Sequence, residues 1–133
     1  MTAAEAPRRV LVTGSREWDA EGTLRQALIA AKMAVAGEDH DLIVVHGACP
    51  TGADAMADTR ARDYGFQAER HPADWSQGKG AGFIRNAEMV ALGADLCVAF
   101  YQQGAGNKGT DHCASLAEKA GIPVRRFTSG TGP

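Results

Sequence analysis

The sequence is poor in cysteine, in aromatic side chains and in long apolar runs, and each shortage excludes a class of protein. Its three cysteines cannot all pair with one another and none lies in a C-x-x-C pair, so we expect a reduced, cytoplasmic compartment. Apolar runs such as Leu42–Val45 are far too short to span a membrane. The N-terminal stretch MTAAEAPRR lacks the apolar segment of a secretory signal, and we therefore expect neither export nor a membrane partner.

The chain also lacks an excess of basic side chains. Fourteen Lys and Arg residues stand against sixteen Asp and Glu residues, which gives a net charge of −2 at pH 7. Proteins that hold phosphate backbones are usually basic, and single-strand binders need aromatic platforms, but aromatic residues are only 6% here. Nucleic acid is therefore not an expected partner. The 44% of apolar residues suffices for a core, and 133 residues fit a single domain.

Short β-branched runs alternate with helical patterns between two predicted flexible ends, residues 1–8 and 128–133. Several runs are apolar without alternation, which predicts strands buried on both faces, as in a parallel sheet. The β-α order predicts a single α/β domain over residues 9–127, a doubly wound parallel sheet of about five strands with helices on both faces. The predicted strands are Arg9–Thr13, Asp41–His46, Phe66–Arg70, Leu96–Tyr101 and Ile122–Phe127. Right-handed crossovers place every strand-to-helix loop at one edge of the sheet, where ligands bind in such folds.

The loop after the fourth predicted strand is rich in glycine and opens a helix. Gly104, Gly106 and Gly109 allow backbone amides to turn toward a ligand, and the helix N-terminus adds partial positive charge. The hydroxyl of Thr110 and the charge of Lys108 would assist, so the loop predicts phosphate binding. The spacing does not match a G-x-x-x-x-G-K-[ST] loop. The alternative is a flexible connection in which Thr110 caps the helix.

Two further loops carry cations and small residues. Gly14 and Ser15 follow the first strand and can present amides and a hydroxyl, and Arg16 can pair with an anion. Arg85 and Asn86 lie near a helix N-terminus, where an arginine opposes the helix dipole. An anion beside Arg85 would explain that placement. The alternatives are a simple turn and arginines that lie along the surface.

The loop after the second strand combines His46, Gly47, Thr51, Gly52 and Asp54. Thr51 and Asp54 match a capping box at the start of a helix, and the two glycines flank the turn. Asp54 can also accept a hydrogen bond from a ribose hydroxyl. A capping role alone is the alternative. His46 and the nearby cysteine are too few for a zinc site, so no metal is expected.

Both tryptophans are predicted near this edge. Trp75 or Trp18 can stack on a base or sugar, and either can equally cover the core. We predict that Trp75 is a ligand-binding residue.

These elements together resemble the YspA-type, cpYpsA-related branch of the SLOG superfamily, which includes relatives of the Lonely-guy phosphoribohydrolases. The resemblance spans nearly the whole predicted domain and implies a Rossmann-like fold and a nucleotide or nucleotide-derived ligand over the sheet edge. It also implies homo-oligomers, since superfamily relatives are often dimers. No cofactor is expected. The matching stretches are VLVTGSR (10–16), VVHGACPTGAD (44–54), ERHPADW (69–75), AGFIRNAEMVALGAD (81–95) and GNKGTDH (106–112).

The resemblance leaves the activity open. The phosphoribohydrolases cleave the base–ribose bond with a PGGxGTxxE loop that supplies a phosphate cradle and a glutamate. Here Gly109-Thr110 is kept, but no Glu follows in the first turn. An N-glycosidase needs a carboxylate near the anomeric carbon, and Asp111 and Asp54 are the candidates. The chain is thus expected to be a nucleotide sensor or binding module, with two alternatives: a nucleoside-monophosphate phosphoribohydrolase, or an assembly protein with a vestigial pocket.

Overall fold

The computed structural model describes residues 6–129, which build a sheet of five parallel strands in the order β3-β2-β1-β4-β5. The prediction of a Rossmann-like, doubly wound parallel sheet with helices on both faces is confirmed. The strands are β1 (Arg8–Gly14), β2 (Leu42–His46), β3 (Gln67–Arg70), β4 (Leu96–Gln102) and β5 (Val124–Ser129). The helices are α1 (Glu21–Val35), α2 (Gly52–Asp63), α3 (Ala81–Ala91) and α4 (Lys108–Lys119), and a 3₁₀ turn covers Trp75–Gln77.

The sheet is buried on both faces because strand side chains alternate. In β1, Val10 and Val12 enter the core beneath α1 and α2, whereas Leu11 enters a second core beneath α3 and α4. Trp18 belongs to the first core: it is 1% exposed, and its ring centroid lies 5.1 Å from that of Phe100. Trp18 therefore covers the core, one of the two roles predicted for it.

The ends of the sheet extend slightly past the predicted domain. β1 already begins at Arg8, which pairs with Leu42, and β5 continues to Ser129, which pairs with Gln102. Ladder pairing with a neighbouring strand thus orders residues assigned in the sequence to flexible ends. Within those ends, residues 1–5 and 130–133 lie outside the described residues.

The position of a ligand site follows from the strand order. β1 and β4 are neighbours, but the chain leaves β1 toward α1 and leaves β4 toward α4, on opposite faces of the sheet. The loops after these two strands therefore diverge and open a crevice at the carboxyl edge. Among the described helices, none has the length and apolar character needed to cross a bilayer.

Candidate functional site

A cavity of about 390 Å³ lies at the carboxyl ends of β1 and β4. It receives residues from all four strand-to-helix loops, as the crossover argument predicts. Twelve of the predicted ligand-binding residues line it: Gly14, Ser15, Arg16, Gly47, Asp54, Trp75, Arg85, Asn86, Gly106, Lys108, Gly109 and Thr110. The glycine-lined turns therefore share one rim.

The N-terminus of α4 faces this cavity. α4 begins at Lys108, and its N-cap residue Asn107 makes no side-chain capping bond. The Asn107 amide instead fastens the preceding loop, since Oδ1 accepts from the Gln102 amide at 3.1 Å and Nδ2 donates to the Gln102 carbonyl at 2.9 Å. Thr110 is not the cap but lies in the first turn, 4% exposed. The first-turn amides keep the partial positive charge that attracts an anion.

Arg85 reaches the cavity from α3 and is held by backbone oxygens. Nη1 donates to the Gly47 carbonyl at 2.6 Å and to the His71 carbonyl at 3.3 Å. Nε donates to Oδ1 of Asn86 at 3.0 Å. The Nη2 protons have no hydrogen-bond partner among residues 6–129, which leaves them available to a ligand.

Asn86 ties α3 to the start of α4. It is 4% exposed, and its Nδ2 lies 3.2 Å from the Gly109 carbonyl and 3.3 Å from Nδ1 of His112. Asn86 therefore positions both the Arg85 guanidinium and the first turn of α4. This contact fixes the distance between the two groups best suited to an anion.

Trp75 and Arg16 form the outer wall. Trp75 is 56% exposed, and Cζ of Arg16 lies 5.6 Å from its ring centroid, in cation–π contact. An exposed aromatic face at the mouth of a cavity suits a planar base. Trp75, not Trp18, is thus the tryptophan available to a ligand.

Asp54 lies at the buried end of the site. It is 5% exposed, and its Oδ2 accepts from the Cys49 amide at 3.3 Å. Burial raises the pKa of the Asp54 carboxyl above its ordinary range, against the smaller opposing effect of His46. Burial and the neighbouring Asp54 also raise the pKa of the Cys49 thiol, so Cys49 is not an activated nucleophile.

Four predicted ligand-binding residues do not line the cavity: His46, Thr51, Gly52 and Gly104. His46 is 2% exposed; its Nδ1 lies 3.0 Å from the Ala48 amide and its Nε2 lies 2.8 Å from Asp58. The amide contact makes Nδ1 an acceptor and leaves Nε2 as the donor. His46 therefore shapes the loop after β2 from beneath.

The predicted capping box at α2 is wrong. Thr51 makes no side-chain capping bond; its hydroxyl donates instead to the Arg16 carbonyl at 3.0 Å. Gly52 lies against the same segment, and a Cβ on it would stand 2.3 Å from the Ser15 carbonyl oxygen. Thr51 and Gly52 thus join the loops after β1 and β2. Gly104, with φ +80°, turns the loop after β4.

Of the two candidate catalytic acids, only Asp54 lines the cavity. Asp111 is exposed, does not line the cavity, and accepts from the Tyr101 hydroxyl at 3.2 Å. The glutamate of the PGGxGTxxE pattern stands three residues after the threonine, which is Cys113 here. Cys113 is fully buried, and burial raises the pKa of its thiol to about 11. Asp54 is therefore the candidate acid that the structure places at the site.

Several lining residues were not predicted from the sequence. They add a cation, an acid and apolar surface, and they are Val12, Thr13, Glu17, Cys49, Lys79, Gly82, Phe83 and Met89. Lys79 could have been predicted from the sequence, because it is a cation between Gly78 and Gly80 in a predicted loop at this edge. Met89 could not, because its helical spacing is that of any core residue.

Comparison with known proteins relates the chain to a protein family and to a phage protein. The sequence profile of the YspA, cpYpsA-related SLOG family matches residues 8–78, which contain the loops after β1 and β2 and part of the loop after β3. The Gene 61 protein of Mycobacterium phage D29 is 46% identical over 126 residues, covering 90% of this chain and 96% of the phage protein. The phage match therefore extends over α3, β4 and α4 as well.

Proposed function

The chain belongs to the YspA, cpYpsA-related SLOG family, and we propose that it binds a nucleotide or nucleotide-derived phosphorylated ligand as a sensor or binding module. The observation that carries the proposal is the cavity at the β1–β4 crevice, where the α4 N-terminus meets four cationic side chains, Arg16, Lys79, Arg85 and Lys108. Its volume of about 390 Å³ is in the range of small-molecule sites.

The arrangement of the lining supports a particular orientation of the ligand. The phosphate fits between the first turn of α4 and the free side of the Arg85 guanidinium, where amides and charge converge. The base fits against Trp75 at the mouth, since that ring is exposed and Trp18 is not. The sugar would then span the floor of the cavity beside Asp54.

Differential scanning fluorimetry with AMP, ADP-ribose, adenosine and inorganic phosphate tests the proposal. A ligand at about 100 times its Kd should stabilise the protein by about 2.7 kcal/mol. We expect the phosphorylated nucleosides to raise the Tm more than adenosine. The exposed Arg16→Gln variant should weaken binding about tenfold, because a charge-assisted contact is lost. Arg125→Gln, an exposed arginine away from the cavity, is the matched control. If no phosphorylated nucleoside changes the Tm, the proposal is wrong.

A second candidate function is cleavage of the N-glycosidic bond of a nucleoside monophosphate. Asp54 favours it, because a buried carboxyl with a raised pKa is the form that acts as a general acid in glycosidases. Asp54→Asn, which keeps the shape of the side chain, should abolish release of free base detected by chromatography. Asp111→Asn should leave the release unchanged, since Asp111 does not line the cavity. If no free base is released at high enzyme concentration, cleavage is excluded and ligand binding stays as the proposed function.

Homo-oligomerisation stays a prediction, which light scattering coupled to size exclusion tests.

A further inference from the structure

Only one of the two carboxyl oxygens of Asp54 has a hydrogen-bond partner among residues 6–129. Its Oδ2 accepts from the Cys49 amide, and no other nitrogen or oxygen among residues 6–129 hydrogen-bonds the carboxyl. Oδ1 therefore has no such partner, and the adjacent Cys49 thiol is only a weak donor. Oδ1 is not among the fully enclosed polar atoms of residues 6–129 that lack a partner, so it is open to the cavity that Asp54 lines. Buried carboxyls in folded proteins are normally hydrogen-bonded or ion-paired, since burial without a partner is costly.

The nearest cation does not fill this role. The Arg85 donors are directed to the Gly47 and His71 carbonyls and to Asn86, with no hydrogen bond to Asp54. Asp54 lines the cavity, so the missing partner can come from a bound molecule.

The surroundings limit what that partner can be. A second anion would be repelled by this carboxyl, so the phosphate belongs at the N-terminus of α4 and its cationic neighbours, which line the same cavity. The described part of the chain contains no group of three His, Cys, Asp or Glu side chains suited to a metal ion. An organic cation would face Arg16 and Arg85, which line the same cavity. An uncharged group that donates hydrogen bonds is left, and the sugar hydroxyls of a phosphorylated nucleoside are groups of this kind.

Building on the proposed function, we propose that Asp54 binds the vicinal hydroxyls of the ligand's ribose and makes the site selective for ribose phosphates over deoxyribose phosphates. The selectivity comes from hydrogen bonding, because a deoxyribose lacks a hydroxyl that would donate to the buried Asp54 carboxyl. Leaving a buried acceptor without its donor costs about 1–3 kcal/mol, which corresponds to about a 5- to 150-fold change in Kd.

Isothermal titration calorimetry with two probe pairs tests this inference: AMP against 2′-deoxy-AMP, and ribose 5-phosphate against 2-deoxyribose 5-phosphate. We expect the ribose form of each pair to bind at least about fivefold more tightly to the wild type. In Asp54→Ala the ratio should fall to near one, with the affinity for the deoxy form little changed. Asp111→Ala, an acid of another first turn, should keep the wild-type ratio.

The outcomes separate the two proposals. Equal affinities within each pair for the wild type, or a ratio that Asp54→Ala leaves unchanged, overturn the role of Asp54 and leave nucleotide binding intact. Failure of all four probes to bind overturns the proposed function and this inference with it. If Asp54→Ala does not fold, the isosteric Asp54→Asn replaces it, and the wild-type comparison alone still decides the selectivity.

Discussion

The guanidinium of Arg85 occupies the space that a side chain on residue 47 would need. Nη1 donates to the Gly47 carbonyl at 2.6 Å, and a Cβ built on Gly47 would stand 2.5 Å from the same nitrogen. The absence of a side chain after β2 thus determines where a cation from α3 can lie. This contact joins the loop after β2 to α3, between residues that are 38 positions apart in the chain.

Gly47→Ala is expected to displace Arg85 and to weaken binding of a phosphorylated nucleoside at least about tenfold, because the cation leaves the anion site. Because the clash is with the flexible end of the Arg85 side chain, which can move aside, the free energy of unfolding should change by less than about 1 kcal/mol. Titration calorimetry and urea unfolding measure the two effects. The matched control is Gly22→Ala on α1, where a Cβ meets nothing within 4 Å. Unchanged affinity in Gly47→Ala would remove Arg85 from the ligand site.

Alanine substitutions at Gly52 and Gly65 can separate two effects on the free energy of unfolding: the strain of a left-handed backbone and the clash of a new Cβ with its neighbours. Both have φ +75°, but a Cβ on Gly65 meets nothing within 4 Å, whereas one on Gly52 would stand 2.3 Å from the Ser15 carbonyl oxygen. Gly65→Ala should cost about 1–2 kcal/mol of unfolding free energy from left-handed strain alone. Gly52→Ala should cost at least about 1 kcal/mol more. Equal denaturation midpoints for the two variants would contradict the close contact between the loops.

Glu69 is expected to make the stability pH-dependent in acid. Arg9 binds its two carboxylate oxygens at 2.9 and 2.8 Å, and this pairing, with a smaller contribution from His71, lowers the pKa of Glu69 to about 2. Because the pKa is lower in the folded state, the stabilisation is complete above about pH 4.5 and is lost as the pH falls toward 2. The side chain is one-third exposed, so solvent screening reduces the effect to about 1 kcal/mol.

Urea unfolding of Glu69→Gln between pH 6 and pH 3 measures this contribution. The variant should be less stable than the wild type at pH 6, and the difference should shrink toward pH 3. Glu88→Gln, which removes an exposed carboxylate with no ion pair among residues 6–129, serves as the control. A constant difference across this range would show that the Arg9 contact is not the source.

Tryptophan fluorescence should report on the ligand through Trp75 alone. Trp75 is 56% exposed and Trp18 is 1% exposed, so acrylamide should quench the first and spare the second. AMP should protect Trp75 from quenching if the base stacks on it. In Trp75→Phe the emission should become blue-shifted and insensitive to AMP, with unfolding free energy within about 0.5 kcal/mol of wild type. Quenching in wild type that AMP does not alter would exclude Trp75 from the binding surface.

The fold was predictable from local patterns. Unbroken apolar runs such as Leu42–Val45 indicated strands covered on both faces, and glycines such as Gly65 and Gly121 marked helix ends. The β-α alternation then placed the loops at one edge, and most predicted site residues do line one cavity there. These inferences succeed because each depends on residues close together in the chain and on the fixed hand of the crossover.

Individual side-chain roles were less predictable, because they depend on which neighbours arrive from elsewhere in the chain. Thr51 had the spacing of a cap, yet its hydroxyl serves the Arg16 carbonyl. His46 had a residue type suited to chemistry, yet Asp58 and the Ala48 amide occupy both ring nitrogens. No short-range pattern contains those partners.

Asp54 and Asp111 show most clearly that local sequence and tertiary structure decide different things. Both Asp54 and Asp111 lie in the first turn of a helix that follows a strand, and their sequence context is nearly equivalent. One residue advances a helix by about 100°, so Thr110 faces the cavity and Asp111 is turned toward Tyr101. Local sequence specifies a glycine-rich edge of the sheet. The rotation of each helix against the sheet, which core packing fixes, decides which of the two acids lines the cavity.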